Sequence, residues 1–335
     1  MPVALILDTF LDAGDKPVSG GELARRLGLS RVSAWNRLEQ LRREGFVFEA
    51  APRVGYRLVK RPETVHPALL AAYLRRLSPQ TAAAVALRCL PATDSTNDEA
   101  GRLLSSGEPA PFAVVASAQT AGRGRMGRVW QSDDPGCLYL SFGFRPGLAP
   151  ERAQSITLAV GLRLCERLAE TSALPLLVKW PNDILCDGRK IAGILSEARI
   201  DADRVRDIVV GVGLNVNRRV FPPELRDTAG SLAAFGREAD INETAALCIA
   251  AIHEACERFA ADGLGGDFAQ RWRSFDYLAG KTIAARSGTE EISGEALGLA
   301  PDGALLVRTS SGLVRALNSG EVTLRPRKNT GAAHA

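Results

Sequence analysis

The chain has 335 residues, of which 46% are hydrophobic, and a formal net charge of +4. At a prior of roughly 150 residues per domain, this length predicts two or three domains with packed cores. No apolar run approaches the ~18 residues of a membrane-spanning helix, which argues against an integral membrane protein. The first residues carry Asp8, Asp12 and Asp15 where a signal peptide would be basic, so we expect a cytoplasmic protein.

Cysteine and histidine usage argues against a structural metal. The six cysteines form no C-x-x-C pair, and only three histidines are present, so the ligand spacing of a zinc site is missing. We expect the cysteines to be small buried groups in a reducing compartment, without metal or disulfide roles.

The first 60 residues have the pattern of a winged helix-turn-helix. Residues 3–13 and 20–27 predict two short helices, the second ended by Gly28. Ser30 is a good N-cap for a third helix, whose buried stripe is Ala34, Leu38 and Leu41. Two short helices joined by a tight turn are typical of a helix-turn-helix unit. The two short strands predicted over residues 46–58, around a basic turn, would form the wing.

The charge of this segment is compatible with binding to DNA. Residues 20–62 contain ten basic and four acidic residues, a net charge of +6 over 43 positions. In such units the start of the recognition helix enters the major groove, and other basic residues contact phosphates. Two alternatives to DNA binding remain: the charges could belong to a solvated helix face, or the helix-turn-helix could bind protein. The predicted base contacts are Arg31, Ser33, Asn36 and Arg37, and the predicted phosphate contacts are Arg53 and Arg57.

A connector over residues 61–67 and a linking helix over residues 69–77 lead into a region where strands outnumber helices. Its first polar cluster, Ser95-Thr96-Asn97-Asp98-Glu99, has capping-box spacing between Thr96 and Glu99 and predicts a helix that reaches about residue 106.

The segment GRGRMGRVW, residues 122–130, places three arginines and three glycines in seven positions and predicts an anion-binding loop. Its glycines match the dinucleotide fingerprint, but that motif requires a helix at the third glycine. Here the loop lies between predicted strands at residues 112–119 and 137–144, so the order is strand, loop, strand. A Walker A loop is also excluded, because Phe275 stands where the first glycine before Gly280-Lys281-Thr282 should be.

A second cluster, KWPND at residues 179–183, is followed by Asp187-Gly188 and by Arg189-Lys190-Ile191-Ala192-Gly193. Because Asp-Gly between apolar runs is a strong hairpin signal, we expect the two charged stretches to lie together. Long helices are predicted over residues 150–172 and 242–261. Beyond residue 280, turns at residues 302–303 and 311–312 predict a small β-barrel.

These motifs, with Gln119, GVGLNVN at residues 211–217 and Gly320-Glu321-Val322, resemble in order the family of bifunctional biotin–protein ligases and biotin operon repressors. One departure is Met126, where some members carry another arginine. The resemblance implies that biotin is held by Ser95, Thr96, Asn97, Gln119, Arg123, Gly124, Arg125 and Lys190, and that the nucleotide is bordered by Arg128, Trp130, Asn182, Asp183 and Asn215.

The residues agree with that implication. A short polar sequence at a helix start, together with Gln119, can form hydrogen bonds to a ureido ring, and Lys190 can hold a carboxylate and the phosphate that joins it. We expect Gly211 and Gly213 to lie in a strand where a missing side chain lets the ligand approach. Trp130 and Trp180 could instead be core residues.

The implied reaction forms biotinyl-5′-AMP from biotin and ATP and then transfers biotin to a lysine of a biotin carboxyl carrier protein. Catalysis would rest on Lys190, Arg125 and Arg128, with Asp183 as the candidate Mg²⁺ ligand. The alternatives that remain open are a ligase with a vestigial winged helix and a biotin-responsive repressor without ligase activity. A lipoate ligase is disfavoured by the ring-holding segment.

We therefore predict an α+β, multidomain chain. Its parts are a winged helix-turn-helix (residues 1–63), a linker (64–84), a mixed α/β catalytic domain of the biotin/lipoate ligase type (85–275), an SH3-like β-barrel (276–328) and a disordered tail (329–335). As a repressor it would bind operator DNA as a homodimer promoted by biotinyl-AMP, with the hairpin over residues 190–207 as the candidate strand edge of the dimer.

Overall fold

The computed structural model describes residues 2–51, 54–201, 203–287 and 290–324, which form three consecutive units. The predicted tail lies outside these ranges. None of the helices within them is long and apolar enough to cross a membrane.

The N-terminal unit is the predicted winged helix-turn-helix. The α3 helix begins where expected because the Ser30 hydroxyl accepts a hydrogen bond from the Ser33 amide at 3.1 Å. The predicted stripe of Ala34, Leu38 and Leu41 is buried. The elements are α1 (Pro2–Ala13), α2 (Gly20–Leu27), α3 (Arg31–Arg43), β1 (Val47–Ala51) and β2 (Gly55–Lys60), and the two strands pair antiparallel as a wing.

The central unit is a seven-stranded sheet flanked by helices. Its strands run in the order β3-β4-β5-β9-β8-β7-β6, and all neighbours are antiparallel except the parallel pair β3 and β4. No α-helix separates β4 from β5, so the exclusion of a dinucleotide-binding unit is confirmed. The elements are α4 (Pro67–Leu77), α5 (Pro79–Ala84), β3 (Ala86–Leu90), α6 (Thr96–Ser105), β4 (Phe112–Ala116), β5 (Cys137–Phe144), α7 (Ile156–Ser172), β6 (Leu176–Lys179), β7 (Asp183–Cys186), β8 (Arg189–Asp201), β9 (Arg204–Asn215), α8 (Ile241–Asp262) and α9 (Phe268–Phe275).

Two expectations about this unit are corrected. The helix predicted over residues 150–172 starts as a 3₁₀ turn at Pro150–Ser155, and regular α-helix begins only at Ile156. Such tighter turns are frequent at helix starts, and the chain here also makes contacts elsewhere: the Ser155 hydroxyl donates to the Asp302 carbonyl at 2.7 Å.

The second correction concerns the hairpin over residues 190–207, predicted as a strand edge. Its strands β8 and β9 lie inside the sheet, because β7 pairs with the first part of β8 and β5 pairs with β9. Over residues 195–201, the described ladders join β8 to β9 alone. Only this outer half of β8 therefore presents an open edge.

Polar groups fix the winged unit against the central unit. The His66 amide donates to Asn242 Oδ1 on α8 at 2.6 Å, and the His66 ring Nε2 lies 2.9 Å from Glu44 Oε2 at the end of α3. Arg75 on α4 pairs with Asp8 on α1 at 2.8 Å, while within the central unit the Tyr73 hydroxyl on α4 donates to Asp240 Oδ2 at 2.9 Å. Burial raises the pKa of Tyr73, so this hydroxyl keeps its proton.

The C-terminal unit is a five-stranded antiparallel sheet in the order β13-β12-β11-β10-β14. The predicted turns at residues 302–303 and 311–312 connect its strands. Trp180 fixes it to the central unit: the indole is buried and donates to the Gly303 carbonyl at 3.1 Å, which makes it a core residue. Closure into an SH3-like barrel stays a prediction. The strands are β10 (Thr282–Ser287), β11 (Glu290–Leu299), β12 (Leu305–Thr309), β13 (Val314–Leu317) and β14 (Glu321–Leu324).

Candidate active site

An open cleft of about 580 Å³ lies on the central sheet, between the loop joining β4 to β5, the β7–β8 hairpin and the start of β14. The fold brings to it every residue that the sequence assigned to biotin, nucleotide or catalysis. These lining residues are Ser95, Thr96, Asn97, Gln119, Arg123, Gly124, Arg125, Arg128, Trp130, Asn182, Asp183, Lys190, Gly211, Gly213 and Asn215.

Gln119 organises the polar end of the cleft. Its Oε1 accepts from the amide and the hydroxyl of Thr96 at 2.8 and 3.1 Å, and its Nε2 donates to Ser132 Oγ at 2.8 Å. The predicted capping box is wrong, because α6 begins at Thr96 and Ser95 makes no side-chain cap. The amide of Gln119 instead satisfies the helix start from 23 residues away, a contact that local spacing cannot reveal.

A buried hydroxyl completes this polar end. Ser141 Oγ on β5 lies 2.6 Å from Asn97 Oδ1 and 2.8 Å from Thr96 Oγ1, and Asn97 Nδ2 donates to Glu197 Oε2 at 2.7 Å. Our sequence reasoning missed Ser141, although a serine inside an otherwise apolar strand is a usable signal. The cluster offers both donors and acceptors, which suits a ligand that carries an N–H beside a carbonyl.

The glycines of β9 form the floor of the cleft, for a reason different from the one predicted. A Cβ on Gly211 would lie 2.1 Å from Asn97 Oδ1, and one on Gly213 would lie 2.3 Å from Trp130 Cε2. The space above the strand is thus occupied by protein side chains. The glycines let Asn97 and Trp130 lie flat on the sheet, and these side chains in turn line the cleft.

Trp130 carries an unmet hydrogen-bonding group. Its Nε1 is buried and has no partner among the described residues. Lys190 Nζ lies 5.4 Å from the centroid of the indole, within cation–π range. Because buried donors are nearly always paired, this N–H is a candidate contact for a ligand acceptor.

The three arginines of the loop contact three different parts of the protein. Arg123 pairs with Asp98 at 2.5 Å and with Glu197 at 3.1 Å. Arg125 donates to Asn182 Oδ1 at 3.2 Å, and burial lowers its pKa. Arg128 is 68% exposed and pairs with a carboxylate of β14. All three arginines line the cleft, where a planar guanidinium can contact an anion.

The second half of the loop is largely exposed. Met126 has a left-handed backbone (φ 56°) and is 64% exposed, and Val129 is 79% exposed. Met126 nevertheless lies among the residues that line the cleft.

Lys190 and Asp183 form an ion pair across the β7–β8 hairpin, with Nζ and Oδ1 2.6 Å apart. The hairpin sets this contact, since its strands pair Lys190 with Leu185, which is two positions from Asp183 and therefore on the same face of β7. Lys179 lies beside them at the end of β6, where burial lowers its pKa although the charge of Asp183 acts in the opposite direction. The hairpin thus concentrates two ammonium groups and one carboxylate.

The two asparagines of the predicted nucleotide set have internal partners. Asn182 Nδ2 donates to the Ile194 carbonyl at 3.1 Å, and the buried Asn215 donates to the Gly230 carbonyl at 2.9 Å. Both border the cleft, and their amides hold its walls in place.

Arg218 and Glu321 are among the cleft residues that were not predicted. Arg218 is buried, lies 3.6 Å from carboxylate oxygens of both Asp133 and Asp134, and has Phe221 in cation–π range at 5.4 Å. Glu321 on β14 is the partner of Arg128. Arg218 directly follows GVGLNVN and Glu321 is part of Gly320-Glu321-Val322, but the sequence did not indicate that these two side chains reach the cleft.

The cleft offers Asp183 as a carboxylate ligand for Mg²⁺. The described residues hold no group of three or more potential metal ligands. Mg²⁺ bound with a nucleotide needs only one or two carboxylates beside phosphate oxygens, and Asp183 meets that requirement. The residues present therefore fit an ion that arrives with ATP.

The predicted DNA-binding residues lie on the winged unit. Arg57 pairs with Glu49 at 2.6 Å across the wing, and the Arg37 guanidinium donates to Gln40 at 3.1 Å. Arg53 lies outside the described residues. The exposed members on α3 and β2 are Arg31, Ser33, Asn36, Arg37 and Arg57.

Comparison with known proteins accounts for each unit. Residues 4–57 match a helix-turn-helix (HTH) domain, residues 89–215 match the biotin/lipoate A/B protein ligase family, and residues 279–325 match the biotin protein ligase C-terminal domain. Among solved structures, the biotin protein ligase from Aquifex aeolicus in complex with biotin and ATP superposes with a TM-score of 0.61 at 32% identity. That match covers 72% of this chain and 98% of the other.

Full-length relatives show the same arrangement. The bifunctional ligase/repressor BirA of Bacillus subtilis (strain 168) is 33% identical over 317 residues, covering 92% of this chain and 94% of that protein. The protein of the same name from Escherichia coli (strain K12) is 33% identical over 312 residues, covering 92% of each. The chain therefore belongs to the biotin protein ligase family, in its bifunctional ligase/repressor branch.

Proposed function

We propose that this protein forms biotinyl-5′-AMP from biotin and ATP, transfers biotin to a lysine of a biotin carboxyl carrier protein, and represses biotin-synthesis genes when it holds the adenylate. The observation that carries the ligase activity is one cleft with a polar end around Gln119 and a cationic end around Lys190. A repressor without ligase activity would need only the polar end around Gln119.

In the adenylation step, a biotin carboxylate oxygen bonds to the α-phosphorus of ATP, and pyrophosphate leaves with the electrons of the broken P–O bond. No enzyme nucleophile is required. Lys190 would share its charge between Asp183, 2.6 Å away, and the two anions that must approach each other. Arg125 and Arg128 would stabilise the charge that develops on the phosphate oxygens. Mg²⁺ held by Asp183 would add charge neutralisation at the phosphates.

In the transfer step, the uncharged acceptor amine attacks the carbonyl carbon of the anhydride. AMP leaves, the new amide bond forms and the amine gives up its proton. The polar end, made by Thr96, Asn97, Gln119 and Ser141, would hold the ureido ring by exchanging some of its internal hydrogen bonds for ligand contacts. The arginine loop would keep water from the anhydride.

Repression requires two winged units on one operator, so we infer a homodimer promoted by the adenylate. The outer half of β8, residues 195–201, is the candidate edge, since its backbone pairs with β9 alone in the described ladders. A repressor must share a compartment with its DNA, and on that ground we infer a cytoplasmic protein. The domain bounds that we propose are residues 1–63, 85–275 and 276–328, with α4 and α5 in the segment over residues 64–84 that links the first two.

The test is biotin-dependent exchange between ATP and pyrophosphate, followed by biotin transfer to a purified carrier domain. We expect both to occur and to require Mg²⁺. Exchange without transfer would contradict the carrier as acceptor. The absence of exchange would contradict the ligase and leave only a biotin-responsive repressor. A shift assay at the chain's own promoter, with and without biotin and ATP, separates a repressor from a ligase with a vestigial winged helix.

A further inference from the structure

The recognition helix exposes an apolar pair among its polar residues. Val32 and Trp35 on α3 are 69% and 49% exposed, and they lie one turn apart on the helix surface. Their neighbour Asn36 is also exposed. An exposed tryptophan beside a second apolar side chain indicates a contact surface, because single scattered apolar residues need no partner but a patch does.

The charges around this pair favour a polyanion as the partner. Arg31, Arg37 and Arg43 are exposed on the same helix, and within the described part of the chain none of them has an acidic ion-pair partner. A second copy of this basic surface would be repelled, and an uncharged apolar partner would leave these charges uncompensated. A DNA duplex compensates them and also offers apolar groups in its major groove.

We propose that Val32 and Trp35 read thymine methyl groups in the operator half-site, beside an adenine edge read by Asn36. This inference depends on the proposed repressor function. Thymine is the only base that presents a methyl group in the major groove, and an asparagine amide matches the N6 and N7 atoms of adenine. The part of each half-site that faces the first turns of α3 therefore consists of A·T pairs. The apolar pair determines their orientation, because the methyl group marks the thymine strand.

The sequence itself did not suggest these residues. Charge and hydrogen-bonding capacity pointed to Arg31, Ser33, Asn36 and Arg37. In the structure, however, the Ser33 hydroxyl lies 3.0 Å from that of Ser30 at the helix cap. Ser33 is thereby engaged in the cap, and Val32 extends freely from the same turn.

The experiment replaces single thymines by uracil, which removes the methyl group and leaves every hydrogen-bonding atom in place. The operator is first obtained by selecting random duplexes with the full-length protein in the presence of biotin, ATP and Mg²⁺. Each thymine of the selected half-site is then substituted in turn. We expect one or two positions per half-site at which uracil weakens binding about fourfold, the equivalent of the ~0.8 kcal/mol typical of one buried methylene-sized group.

Variants assign each methyl group to a side chain. A thymine contacted by Trp35 should lose its uracil effect in Trp35→Ala, and one contacted by Val32 should lose it in Val32→Ala, while both effects persist in the wild type. A double-mutant cycle requires this result for a direct contact. Val314→Ala, at an exposed valine of β13 (47% exposed), is the matched control and should keep the wild-type pattern. All three variants should retain ATP–pyrophosphate exchange and the wild-type circular dichroism and thermal unfolding, which together report on the central unit and on the winged unit.

The outcomes separate the inference from the function on which it rests. A selected half-site whose uracil substitutions act equally in every variant would overturn the methyl contacts and leave repression intact. Unchanged operator affinity in Trp35→Ala would mean that the apolar pair has another partner. A selection that enriches no sequence would contradict the repressor function itself, and the inference with it.

Discussion

Lys190 is the cation at the point where the two reacting anions must meet, and its removal tests the catalytic assignment. We expect Lys190→Ala to lose about 10²–10³-fold in adenylation rate, since one electrostatic donor contributes roughly 3–4 kcal/mol to a transition state. Folding should be retained, because the side chain is only partly buried, at 34% exposure. Biotin-dependent exchange and thermal unfolding measure the two effects. Lys60→Ala, on the wing, controls for charge loss, and a rate within threefold of wild type would refute the assignment.

Gly213 shows how a single missing Cβ places a ligand-facing ring. We expect Gly213→Ala to displace Trp130, whose Cε2 would lie 2.3 Å from the new atom, and to destabilise the fold by ~1–3 kcal/mol through overpacking. The KM for ATP should rise about tenfold, the equivalent of ~1.4 kcal/mol of binding. Gly20→Ala is the matched control, because its nearest heavy atom is 3.7 Å away. Unchanged nucleotide binding in Gly213→Ala would remove Trp130 from the site.

Lys179 gives the cleft a pH dependence. Burial lowers its pKa, so as the pH rises this ammonium group loses its proton before an ordinary lysine does. The cleft then loses a positive charge, and we expect the KM for ATP to rise on the alkaline side. Lys179→Arg, which stays protonated, should abolish that rise. Initial rates measured across the alkaline range give the KM for ATP of the wild type and of Lys179→Arg. An identical pH dependence of the two would contradict a role for Lys179.

At the scale of elements, the arginine loop contacts α6 and β8 through Arg123, the turn between β6 and β7 through Arg125, and β14 through Arg128. We expect Arg125→Gly to form the adenylate but to release it roughly 10–100-fold faster, given ~1.5–3 kcal/mol for a hydrogen bond to a charged group. The released anhydride would label bystander lysines, which is measurable as biotin on an added unrelated protein. Arg125→Lys keeps the charge and should leak less. Wild-type release rates in Arg125→Gly would show that the adenylate is retained elsewhere.

The elements were largely predictable because their signals are local. The Ser30 cap, the Ala34, Leu38 and Leu41 stripe, and the Asp187-Gly188 turn each depend on neighbours within one or two turns of chain. The sequence motifs also predicted the residues assigned to biotin, nucleotide and catalysis, all of which line the cleft. The capping of α6 by Gln119 could not be predicted, because its partners are distant in sequence.

Other parts of the site depended on the packing of whole units. Arg218 is drawn into the cleft by two aspartates of the turn before β5, and Glu321 arrives on a strand of another unit. The role of the floor glycines was mistaken for a related reason. A strand glycine signals close approach, but the sequence does not say whether a ligand or a side chain approaches.

At the scale of the whole molecule, catalysis and DNA binding are linked through the adenylate. We expect biotin and ATP together to shift the protein from monomer to dimer, and operator affinity at fixed salt to rise with it. The ligand can do this only by binding the dimer better, and an arginine loop ordered near the open edge of β8 is a physical means. Sedimentation and operator binding measured together test the link. If the protein stays monomeric with the adenylate bound and gains no operator affinity, the result contradicts the proposed repression and leaves only the ligase activity.

The contacts of His66 with Asn242 on α8 and with Glu44 at the end of α3 have a consequence for how such a regulator diversifies. They join the recognition helix to the catalytic body, so in the proposed dimer we expect the helical phasing of the two half-sites to depend on residues far from the DNA. Different parts of the chain then determine which bases are recognised and how far apart the two half-sites lie. A substitution at Asn242 can alter which promoters are controlled while every DNA-contacting side chain stays the same.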